Sequence, residues 1–184
     1  MSSLSRRSLL SIAFAATAPA AFAAPPGGEY RTITWEALVP KDWDPSSQFK
    51  DAPASLQDGD PRAVEMLNKL REVWNNAPAN SAMQNAAVRL PGYVVPLEEA
   101  NGGITEFLLV PYFGACIHTP PPPANQIVHV LPKAPLKQLK SMDAVWVRGK
   151  LQLSRTDSAM GTSGYRMEAV SVDKYVADED AKKR

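Results

Sequence analysis

The stretch PYFGACIHTPPPPANQIVHV, residues 111–130, holds the only cysteine of the chain, Cys116, and both of its histidines, His118 and His129. A thiolate and two imidazoles are borderline-soft donors that suit zinc, with copper as the alternative, and three protein ligands leave a fourth position open. Glu98, in the acidic pair Glu98–Glu99 of VPLEEANGG, is a candidate for that fourth position. Such a site needs the thiol deprotonated and the imidazoles neutral, so its affinity falls as pH drops. The spacing matches no CxxC pair, HExxH helix or CxxCH run. A plainer account stands beside it: a lone cysteine is often a small buried hydrophobe. A third chemistry is nucleophilic, with Cys116 activated by a histidine. His129 is the better base, because residues two apart in a strand lie too far apart for a direct thiol–imidazole hydrogen bond. No nucleophile elbow or obvious oxyanion hole accompanies it, although Gly114 and Asn125 lie nearby as possible oxyanion donors. A free thiol in an oxidising compartment can also pair between chains.

Convergence of the three donors depends on the elements around them. If a strand over 105–112 runs on through GACIH, Cys116 and His118 project from one face. The four prolines 120–123 then form a stiff polyproline II path, which returns the chain to a third strand carrying His129 opposite the pair. Five strands are expected in all, near 86–95, 105–112, 126–131, 144–153 and 164–176. In the fourth, Val145, Val147, Leu151 and Leu153 alternate with Trp146, Arg148, Lys150 and Gln152, and Gly149 marks a bend. In the fifth, Tyr165, Met167 and Ala169 alternate with Arg166 and Glu168. The segment PKAPLKQLKSM, between strands three and four, has room for a turn or two of helix. That order predicts a mainly β fold, a small five-stranded OB-like barrel.

Before the barrel, PRAVEMLNKLREVW places Val64, Leu67, Leu70, Val73 and Trp74 on one stripe. Pro61 follows Asp60 as a first helical residue, so an N-terminal amphipathic helix is expected from 61 to about 74. Residues 24–60 form a Pro-rich lead-in with one ordered patch, ITWEALVP, whose Trp35 and Leu38 suggest a short turn packed on the domain. Residues 61–176 then make a single domain, and 177–184 a charged tail.

Residues 1–23 have the layout of an export signal: Arg6 and Arg7, an apolar run from Leu9, and small residues at Ala21 and Ala23 before a cleavage site. The paired arginines fit the twin-arginine route, and a Sec signal can carry them too. The expected location is the periplasm, with no membrane-spanning segment after processing. Loss of Arg6 and Arg7 from the 20 basic residues leaves 18 against 19 acidic ones, a net charge near −1. That balance lacks the basic face that nucleic acid demands.

The blocks ITWEALVP, VRLPGYVVPLE, FLLVPYFGACIHTPPPPANQIVHV, VWVRGKL and GYRMEAV together resemble a domain-of-unknown-function family of exported bacterial proteins, over roughly residues 31–176. CIHTPPPPANQ is its most specific piece. The resemblance implies a periplasmic protein or lipoprotein, in some members accompanying ABC-type transport systems and zinc-responsive genes. Carried onto this chain, it points to Cys116, His118 and His129. This chain has no lipidation cysteine. The leading expectation is a non-enzymatic, zinc-binding accessory protein in metal handling or transport. Its rival is an interaction module that docks a transport component or another periplasmic protein through Tyr112, Phe113 and Pro120–Pro123.

Overall fold

In the computed structural model, residues 30–46, 60–117 and 121–176 are described, and the signal segment, part of the lead-in, His118 and the tail fall outside them. Six strands form one mixed sheet: β1 (Arg31–Thr32), β2 (Ala87–Ala100), β3 (Gly103–Val110), β4 (Val128–Pro132), β5 (Ala144–Ser158) and β6 (Gly161–Lys174). One α-helix, α1 (Pro61–Asn75), precedes the long strands. Neighbours run β1-β2-β3-β4-β6-β5, and β5 pairs again with β2. The β4–β6 pairing is parallel, whereas β2–β3, β3–β4, β5–β6 and β2–β5 are antiparallel.

Local chemistry explains most of these boundaries. Asn101 and Gly102, both at positive φ (54° and 74°), join Ala100 to Gly103 in the tight two-residue turn that an Asn-Gly pair favours. At Gly149 the β5–β6 register shifts, and a Cβ there would lie 2.5 Å from Met167 Cγ. The bend read from the sequence is therefore a point of close approach that no side chain fits. Val145, Val147 and Leu151 on β5 and Tyr165, Met167 and Ala169 on β6 are buried in the main core, as their alternation predicts.

Several expectations need correction. Leu153 is exposed, because the register shift between Leu153 and Thr156 turns the end of the hairpin outward. Trp146, expected on the solvent face, is only 8% exposed: the Arg89 guanidinium lies 3.7 Å above its ring and Tyr175 stacks beside it at 5.6 Å. No helix forms between β4 and β5. Instead Leu136 makes an isolated bridge to Ile104, and the two prolines that precede it, Pro132 and Pro135, lack the N–H donors a helix there would use.

The helix begins where expected, on an Asp60 cap that accepts from Arg62 N at 2.9 Å, with Pro61 in its first turn. No residue of α1 is fully buried, and Val64 and Leu67 of the expected apolar stripe are 54% and 50% exposed. The 3₁₀ turn Trp35–Leu38 is anchored firmly. Trp35 Nε1 donates to Pro91 O at 2.8 Å, and Leu38 is wholly buried with its carbonyl accepting from Tyr165 Oη at 2.6 Å. Among the described residues no helix is long and apolar enough to cross a membrane.

Candidate functional site

Of the expected donors, Cys116, His129 and Glu98 sit on and around one face of the sheet. The main core fills the other face. On the donors' face Val95, Leu108, Val110, Ala115 and Ile127 form a second apolar cluster, against which Tyr93, Leu97, Cys116, Met142 and Met160 pack. This cluster exists because the loop after β3 folds back over the strands.

β3 ends at Val110 rather than continuing through GACIH. The chain turns instead, with Gly114 at φ 85° and Cys116 at φ 66°. Ala115 N donates to Tyr112 O at 3.4 Å and Ile117 N to Gly114 O at 3.3 Å. Gly114 N points at Met142 Sδ, 3.1 Å away. Strand alternation therefore does not place Cys116, and the expected projection of Cys116 with His118 from one strand is not its geometry. The thiol is free and half-buried, and burial pushes its pKa up to about 11. At neutral pH it is a protonated, weakly reactive group.

His129 lies in the middle of β4, opposite Leu108 on β3 and Arg166 on β6. Its Nε2 meets Glu106 Oε2 at 3.0 Å, and its side chain is 8% exposed against 38% for Glu106. The Glu106 carboxylate holds the imidazole in a fixed orientation. His129 Nδ1 is buried and has no hydrogen-bond partner among the described residues. An oriented imidazole with a carboxylate behind one nitrogen and no partner on the other resembles the arrangement metal-binding histidines use.

Glu98 is exposed and stands directly across from Glu106, at an irregularity in the β2–β3 register. Among the described residues no three His, Cys, Asp or Glu side chains come close enough together to hold a metal ion. The described residues thus supply Cys116 and His129 as separate donors around the same apolar cluster, while His118 lies outside them.

Asn125, weighed above as a possible oxyanion donor, is wholly buried and gives its amide to Pro78 O at 3.1 Å, so it ties the loop to the segment after α1. Glu106 was not singled out from the sequence. The available signal was a lone acid in TEFLLV at a position that shares a face with Leu108 and Val110.

The exposed part of the loop is apolar. Phe113 is 65% exposed, Tyr112 41% and Ile117 40%, and the Phe113 ring meets Tyr93 edge to face at 5.8 Å. Ala115, within the same loop, and Ile127, at its far end, have no exposed surface at all.

Comparison with known proteins adds the family. A model described as "Protein of unknown function (DUF3299)" matches residues 35–174. The chain belongs to this family. Among solved structures, a crystal structure of a DUF3299 family protein from Pseudomonas aeruginosa PAO1 is 38% identical, with a TM-score of 0.65, over 81% of this chain and 98% of that one. No curated protein matches the chain. The DUF3299 match spans the Trp35 turn, α1, the loop at Cys116 and all the long strands.

Proposed function

We propose that this DUF3299 chain is an exported, non-catalytic interaction module that docks another periplasmic protein through the loop after β3. The family resemblance points to a component of a transport system as that partner. Tyr112, Phe113 and Ile117 carry this reading: three large apolar side chains at least 40% exposed on a loop held by a buried underside. Contiguous exposed aromatics of this kind mark contact sites, and ordering them beforehand lowers the entropic cost of binding. The raised pKa of Cys116 fits a packing role beneath the loop. The ring of pairings β2-β3-β4-β6-β5-β2, with its parallel β4–β6 step, supports reading the sheet as an OB-like barrel. Export rests on the Arg6–Arg7 start and apolar run of residues 1–23.

The test is site-specific photocrosslinking in the periplasm, with a photoreactive phenylalanine analogue at position 113 and, as a control, at Glu65. A discrete adduct from 113 that disappears on Tyr112→Ser supports the reading. The same diffuse products from both positions would remove it.

A second reading, zinc handling, is favoured by the bare, buried Nδ1 of His129 and by Glu106 behind its other nitrogen. Cys116 and His129 would be the donors. A bound zinc would act there as a Lewis acid or as cargo. Metal analysis of the reduced, purified mature chain decides this reading: stoichiometric zinc that is lost in both Cys116→Ser and His129→Ala supports it, and metal-free protein ends it.

A further inference from the structure

A cavity of about 270 Å³ lies between α1 and the β5–β6 turn, on a part of the molecule that the docking loop's exposed residues do not line. Leu67, Leu70 and Trp74 of the helix line it, together with Pro121 and Ala159. Its volume falls just under the ~300–1,000 Å³ of typical small-molecule sites.

The polar groups of the turn are already committed to the turn itself. Ser158 Oγ donates to Gly161 O at 2.7 Å, and Thr162 Oγ1 donates to Asp157 Oδ1 at 2.7 Å. Arg155 pairs with Asp157 at 3.1 Å and also donates to Asn75 O, which clasps the last turn of α1 to the hairpin. The walls are therefore held in place. Leu67 nevertheless keeps half its surface in water, an unusual use of a leucine that faces a cavity.

Arg71 is the one charged residue among the described residues that line the space. Among the described residues its side chain meets only Asn68 Oδ1, at a long 3.4 Å, and no carboxylate among them lines the cavity. An apolar slot with one cation and no acid is complementary to a molecule with a hydrocarbon body and a single negative head. Its volume restricts that body to a single short or medium-length hydrocarbon chain. We propose that this cavity binds an apolar monoanion of the medium-chain fatty acid class, with its chain against Leu67, Leu70 and Trp74 and its carboxylate on Arg71.

The test uses the full mature chain and decanoate, titrated calorimetrically below its micelle concentration. The expected result is saturable one-site binding that weakens at least tenfold in Arg71→Ala and at least tenfold when decanol replaces decanoate. Leu67→Asp, at a half-exposed position that should leave the fold intact by circular dichroism, is expected to abolish binding. Absence of saturable binding, equal affinity for decanol and decanoate, or an unchanged affinity in Arg71→Ala would each overturn the proposal.

Discussion

Cys116 occupies backbone that L-residues avoid. At φ 66° its Cβ crowds the following carbonyl, at a cost of roughly 1–2 kcal/mol that only glycine escapes. Cys116→Gly should therefore be more stable than Cys116→Ala by about 1 kcal/mol in urea denaturation, even though both remove the thiol's packing. The same half-buried position makes the thiol a pH probe. Its pKa rises on folding from 9.0 to about 11, so the folded state holds this proton more tightly than the unfolded one. The associated stabilisation is complete below pH 9 and is lost as pH climbs towards 11. Tyr165, also raised by burial, adds to the loss with the same sign. The unfolding midpoint should thus fall across this alkaline range, and the fall should be shallower in Cys116→Ala. Alkylation of native Cys116 at neutral pH should run about 100-fold slower than that of a free cysteine, consistent with the depleted thiolate. At this scale the sequence showed which residue types cluster but not how they meet. Cys116 left the strand because Gly114 permitted a turn one residue past Phe113, and Glu106 found His129 through a pairing that no local pattern encodes.

Among the elements, the Trp35–Leu38 turn, the segment after α1 and β6 are joined by one hydroxyl. Tyr165 Oη donates to Leu38 O and accepts from Asn80 N, both at 2.6 Å, at a side chain with no exposed surface. Tyr165→Phe should cost about 1–3 kcal/mol, since it leaves the buried Leu38 carbonyl and the part-buried Asn80 N–H without their partner. Chemical denaturation with an unchanged m-value would check this. Gly149→Val should be worse, because Met167 Cγ and the Glu168 carbonyl occupy the space a side chain needs. The long strands were legible because burial on one face imposes a period of two, clearest in Tyr165, Met167 and Ala169. The helix start was legible because Asp60 and Pro61 act within one turn. The PKAPLKQLKSM segment was not, since its outcome rests on Ile104, which lies some thirty residues earlier in the chain. Trp146 was misplaced for a related reason: its cover, Arg89 and Tyr175, arrives from two distant strand ends.

At the scale of the whole molecule, α1 is loosely seated for its length, with no fully buried residue and a hold on the hairpin through Arg155 and the cavity wall. Hydrogen exchange should show the α1 amides open well before those of β2 and β5, and Arg155→Ala should speed exchange at α1 alone. The mixed sheet has a different dependence. β2, near the middle of the chain, is flanked on one side by β5, which itself needs β6, so residues 87–93 wait for residues 144–150 and the hairpin that ends at Lys174. During synthesis β2 has its β3 partner before that point but not its β5 partner, so the sheet stays incomplete on that side. Any fragment halted near residue 140 would expose Val88, Leu90 and Val94 to proteases and chaperones, so cellular quality control can distinguish a finished copy from an interrupted one by whether its last hairpin has arrived.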